Sequence, residues 1–198
     1  MTSPTRLVGL LALFIGCSFL AGGCRATNGA KGSTPTEKRT VITAETQKTL
    51  DELYATKPEA KEKVANGAGY GYFSTLNVNL LLMSTENGYG VVHDNASGKD
   101  TYMKMAGAGV GVGMGAKDTR TFMVFTDPKV MEQFVTKGWS AGGSADAAAK
   151  TKDDGSATNA GATATPGMEV YQFTKAGLAL QATVQGTKFW PDDSLNQK

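Results

Sequence analysis

Between Ala106 and Ala116 glycine takes every second position: Gly107, Gly109, Gly111, Gly113 and Gly115 alternate with Ala108, Val110, Val112 and Met114. A period of two belongs to a strand, whose successive side chains point to opposite faces. One face of this strand then carries small and medium apolar groups, and the other is bare backbone. Each interior glycine costs about 0.5–1 kcal/mol relative to alanine, so the run costs roughly 2.5–5 kcal/mol. A cost of that size points to something approaching the bare face closely. Three occupants fit: a helix or second sheet layer, an acyl chain or other ligand, or a strand of another molecule. Other glycine motifs do not fit. A dinucleotide fingerprint needs glycines at i, i+2 and i+5, and a phosphate loop needs Gly-Lys-Ser/Thr, whereas this run ends Gly115-Ala116-Lys117-Asp118. The stretch between Lys104 and Lys117 is too short for a membrane helix.

Period two extends on both sides of the ladder. Strands are expected at 70–75, 78–83, 89–93, 101–117, 121–126, 139–148, 168–174, 178–184 and 187–190, with turn signals at Asn87-Gly88, Lys175-Ala176-Gly177 and Gln185-Gly186. One helix interrupts them: Asp127 caps it, Pro128 opens it, Val130, Met131, Phe134 and Val135 form its stripe, and Gly138 ends it. Ahead of the strands, Thr43 is an N-cap candidate for a helix carrying Leu50, Leu53 and Tyr54, and a second short helix spans 58–65. The expected class is α+β: a mainly antiparallel, strongly curved sheet or partial barrel with N-terminal helices and one internal helix. Residues 150–167 contain no large apolar side chain and read as a disordered excursion.

The first residues carry an address. Arg6 precedes an apolar run from Leu7 to Leu20, followed by Ala21-Gly22-Gly23-Cys24. This is the charged, apolar and small-residue order of a secretory signal. Leu20 to Cys24 resembles a bacterial lipobox, in which Cys24 becomes the acylated first residue of the mature chain. Arg25 is not the aspartate that commonly retains lipoproteins at the inner membrane, so the expected location is the outer membrane facing the periplasm. The expected organisation is a lipoprotein signal at 1–23, a flexible tether at 24–42 and one domain at 43–198. A flexible tether of this length averages roughly 20–25 Å end to end, which keeps the domain near the bilayer.

Composition removes several chemistries. Lys and Arg number 20 against 18 for Asp and Glu, a balance that argues against a nucleic-acid binder. Cys17 and Cys24 both lie in the leader and His93 is the single histidine, so no zinc site or Cys–His pair is expected and no cofactor is implied. No nucleophile–base–orienter set can be assembled; the adjacent pairs Asp153-Asp154 and Asp192-Asp193 do not form a dyad by sequence neighbourhood alone.

Thr49-Leu50, Leu53-Tyr54 and Pro58, the ladder with the strand 121–125 and Asp127, Gly138-Trp139, Val170-Tyr171, Lys175-Ala176-Gly177-Leu178, Gly186-Thr187 and Pro191-Asp192-Asp193 follow one another in an order that resembles the SYLF domain family. The resemblance covers roughly residues 45–196. It implies a membrane-associated domain that binds phospholipid head groups, phosphoinositides in eukaryotic members, some of which also bind actin. Anionic head groups attract basic side chains at roughly 1 kcal/mol each. The candidates are Lys57, Lys61 and Lys63 beside the helices, Lys104, Lys117 and Arg120 bracketing the ladder, and Gly109, Gly111 and Gly113 within it. The expected function is non-catalytic lipid binding by an anchored lipoprotein. The rival is a structural envelope protein acting through protein–protein contacts, and a lipid or glycan hydrolase stands third.

Overall fold

Thr34 and Glu37 start the first helix with a reciprocal cap. The Thr34 hydroxyl accepts from Glu37 N at 3.2 Å, and the Glu37 carboxylate accepts from Ser33 N and Thr34 N at 2.6 and 3.2 Å. With Pro35 in the first turn, this fixes helix α1 at Pro35–Thr56. The computed structural model describes residues 29–138, 162–174, 177–179 and 186–197. Helix α1 therefore begins ahead of the expected cap at Thr43, and residues 35–42 are helix where a flexible tether was expected. The buried stripe explains the difference: it comprises Ile42, Thr46, Thr49, Leu50 and Leu53, and threonine is invisible to an apolar scan. Thr46 and Thr49 satisfy their buried hydroxyls on the carbonyls of Ile42 and Glu45, at 2.7 and 2.9 Å. Helix α2, Ala60–Asn66, ends at Gly67.

Strand β1, Gly69–Asp94, pairs along its whole length with β2, Lys99–Phe125. Straight, 26 residues would reach about 85 Å, whereas a folded domain of this size is about 40 Å across. The strand resolves the conflict by doubling back on itself. A side chain at Gly90 would run into the Tyr72 carbonyl and the Phe73 ring, one at Gly88 into the Ser74 carbonyl, and one at Gly69 into the His93 carbonyl. These glycines let two halves of one strand lie face to face in antiparallel sense. The midpoint of the three contacts is Leu81, which has φ 59°, the positive φ of a non-glycine residue among the described ones. A bulge sits there: Leu81 pairs Gly113 and Met83 pairs Val110, so Gly111 and Val112 oppose Leu82 alone. The ladder is thus the stretch of β2 that rounds the corner.

The three strands expected between 70 and 93 are one strand, and the two between 101 and 126 are one. Asn87-Gly88 is no turn; it lies inside β1 opposite Ala106 and Met105. The hairpin turns instead at Asn95–Gly98, where Asp94 accepts from Ala96 N at 2.9 Å and from the Ser97 hydroxyl at 2.7 Å, and Gly98 has φ 66°. Hydrogen bonds from Ser97 and Ala96 hold the Asp94 carboxyl below its ordinary range.

Alternation along the hairpin builds two cores. Tyr72, Val91, Tyr102, Phe122 and Val124 face Leu50, Leu53 and Val64 of the N-terminal helices. Their neighbours Phe73, Val92, Met103, Met123 and Phe125 face Met131 and Phe134 of helix α3, Pro128–Lys137. Helix α3 is as expected, with the Asp127 carboxylate accepting from Lys129 N at 2.8 Å and Gly138 ending it at φ 66°. Among the described residues the sheet has six antiparallel strands, curved but not closed. Strand β2 is central. Opposite β1 it pairs β4, Met168–Thr174, through residues 120–125, and β6, Gly186–Pro191, through residues 103–108. Strands β3, Ala162–Thr165, and β5, Gly177–Ala179, join β4. Between 109 and 119 that edge of β2 has no strand partner among the described residues. Strand β3 corrects the expectation of a structureless excursion through 167, while the expected strand at 139–148 and the rest of that excursion lie outside the described residues. A last helix, α4, Asp193–Asn196, is capped by Asp192.

Candidate functional site

Past the core, the doubled hairpin continues as a projecting end. Leu80, Leu81 and Met83 are 64, 70 and 69% exposed, and among the described residues they are the large apolar side chains left in solvent. No charged residue lies between Thr75 and Glu86 on β1, or between Lys104 and Lys117 on β2. Apolar corner and charge-free strands therefore coincide with the ladder.

The ladder's glycines serve different ends. Among the described residues a side chain at Gly115 would meet nothing within 4 Å, so none of them covers this part of the bare face. Gly107 lies in register between Glu86 on β1 and Thr187 on β6, and the Thr187 hydroxyl donates to the Glu86 carboxylate across it at 3.3 Å. A side chain at Gly107 would stand between them. Burial pushes the Glu86 carboxyl up, against the opposing pull of the Thr187 bond. Gly109 pairs buried Ser84, Gly111 lies with Val112 in the bulge at the corner, and Gly113 pairs Leu81 beside it.

The structure separates the basic candidates into two groups. Lys63 pairs with Glu169 at 2.9 Å, and Glu169 pairs in register with Val124, about 35 Å along the strand from Gly113. Lys57, Lys61 and Lys63 thus belong to the helix-covered end, away from the ladder. Near the ladder, Lys104 meets Asp192 at 3.0 Å and Arg120 meets Glu52 at 2.7 Å while lying over the Phe173 ring. Burial works to raise the Asp192 carboxyl, but bonds from Ser194 and Lys104 and the Lys104 charge hold it below the usual range. Lys117 is exposed and makes no ion pair among the described residues. Lys188, exposed on β6 opposite Ala106, joins this group and was not singled out from sequence. Its signal was its place in an alternating strand, Thr187 and Phe189 being buried on the other face.

A polar cluster also escaped the sequence. The Glu45 carboxylate accepts from Tyr89 at 2.9 Å and Tyr72 at 3.3 Å, tying α1 to both halves of β1. Burial and the neighbouring Glu45 push Tyr89 up to about 12 and Tyr72 higher. His93 meets Asp100 at 2.7 Å and stacks on Tyr70, closing the turn end of the hairpin. Among the described residues no helix is long and apolar enough to cross a membrane.

Residues 106–198 match the Ysc84 family model, described as Las17-binding protein actin regulator. The chain is also 34% identical over 164 residues to Beta cell expansion factor A of Aeromonas veronii, covering 83% of this chain and 61% of that protein. The chain therefore spans about three fifths of this relative's length. Through the segment that holds the ladder and everything after it, the chain belongs to the SYLF (Ysc84) family that its motifs resemble.

Proposed function

We propose that this is a lipid-anchored envelope protein whose domain binds anionic phospholipid head groups without catalysis. Cys24 carries the anchor, and the protein sits at the outer membrane facing the periplasm. The observation that supports the reading most is the charge-free hairpin end with lysines at its base, in a chain of the SYLF family. Lys117 and Lys188 meet the head groups; Lys104 and Arg120 are already engaged by carboxylates and shape the site. Actin, named in the family description, has no counterpart in an envelope and is not carried over.

Flotation of the chain from residue 25 onward tests this. It binds vesicles containing phosphatidylglycerol and shows little binding to phosphatidylcholine alone; equal behaviour on both removes the head-group assignment. Lys117→Ser weakens binding to the anionic vesicles about fivefold and leaves neutral ones unaffected. The second reading, a structural protein acting through sheet edges, draws on the β2 edge at 109–119. A stoichiometric envelope partner captured without vesicle binding favours it.

A further inference from the structure

We propose that Leu80, Leu81 and Met83 form a wedge that enters the hydrocarbon boundary of the bilayer, an inference that rests on the head-group reading above. The corner is built in a way that water alone does not explain. Leu81 holds φ 59°, a left-handed conformation that costs a branched side chain roughly 1–2 kcal/mol and that glycine or asparagine adopts more easily. Leucine there gains no packing to offset the strain, since it is 70% exposed, and two more large apolar groups stand beside it.

The surroundings specify the occupant. Three such side chains offer roughly 400 Å², about half of the ~800 Å² per partner of a stable protein interface. The end carries no charge with which a protein partner could be oriented, while Lys117 and Lys188 stand at its base. That distribution matches an anionic lipid surface: apolar at the point, positive behind it. Spacing agrees. Lys117 lies four residues along β2 from Gly113, the partner of Leu81, or about 13 Å. The interfacial layer on each side of the hydrocarbon is about 5–7 Å deep, so with Lys117 among the phosphates the corner reaches only just into the hydrocarbon. Two acidic groups lie equally far along the strands from the corner: Glu86 is half-buried and turned to Thr187, while exposed Asp118 follows Lys117 directly and, as its neighbour on a strand, points to the opposite face. Insertion is shallow, because backbone groups along a strand edge that has no partner among the described residues need water.

The test uses the full chain with Cys17→Ser and Cys24→Ser and one environment-sensitive fluorophore on Leu81→Cys or, as control, on Ala96→Cys in the turn at the opposite end. Vesicles contain phosphatidylglycerol or phosphatidylcholine alone, with quenchers at known acyl depth. The label at 81 shifts to the blue and is quenched most strongly by shallow quenchers, while that at 96 keeps its aqueous spectrum. Leu80→Ser with Met83→Ser abolishes the shift at 81 with the far-ultraviolet circular dichroism unchanged. A label at 81 that stays aqueous on chain that floats with vesicles overturns the wedge. Equal quenching in both vesicle types keeps the wedge and removes the head-group preference.

Discussion

The two ends of the long hairpin are made from the same pair of strands and obey opposite rules. At the helix-covered end, alternate side chains feed two cores, and the missing side chains of Gly69, Gly88 and Gly90 are replaced by backbone of the same strand. At the projecting end, glycines come in series and Gly115 has no neighbour within 4 Å among the described residues. Glycine spent on close approach is therefore structural, and at Gly115 it leaves a surface instead. Burial, not the number of glycines, tells the two apart.

Substitutions that exchange the properties of the two ends probe this contrast. Gly90→Val forces a branched group into the Tyr72 carbonyl and the Phe73 ring; we expect a loss of roughly 3 kcal/mol, a fall in melting temperature of about 10 °C, and an unchanged melt would break the doubled-strand description. Replacing Leu80, Leu81 and Met83 with serine together leaves the melt in place but lowers the vesicle partition coefficient about 100-fold; a drop in stability instead would make the corner part of the core. Lys104→Met removes the charge facing buried Asp192 and costs about 1–2 kcal/mol at neutral pH. Because the folded Asp192 carboxyl titrates below the ordinary value of 3.8, its contribution is present above that pH and lost as the pH falls through the lower value. The variant accordingly differs most from the parent near neutrality and converges with it in acid, as pH-resolved thermal melts can check. Gly115→Ala changes stability by under about 0.5 kcal/mol, of either sign; a large loss would mean that its face is covered.

Much of this was legible in the chain. Period two gave the strands, the Asp127–Gly138 signals gave α3, and a curved antiparallel sheet followed from many short apolar runs. The runs fused because a polar residue such as Asn77, between the expected strands 70–75 and 78–83, reads as a break, although it only marks strand that has left the core. Asn87-Gly88 misled for a related reason: glycine there answers to Ser74, distant in sequence, and no local rule carries that contact. Thr34-Pro35-Thr36-Glu37 was a readable helix start, outweighed by the lack of large apolar residues around it. At the site, the ladder and Lys117 were visible beforehand. The pairing of Lys63, Lys104 and Arg120 with carboxylates was not, since each partner comes from a distant element.

The edge of β2 that lacks a strand partner among the described residues has a colloidal consequence. From Gly109 to Ala116 its sequence has neither proline nor charge to deter a second copy, and glycine-rich strands pair in slipped registers as readily as in one. Stripped of phospholipid, the purified protein should grow into oligomers as it is concentrated, and vesicles should disperse them. The acyl anchor proposed at Cys24 would then do more than give the protein an address: by holding it beside lipid, it would keep a sticky strand occupied.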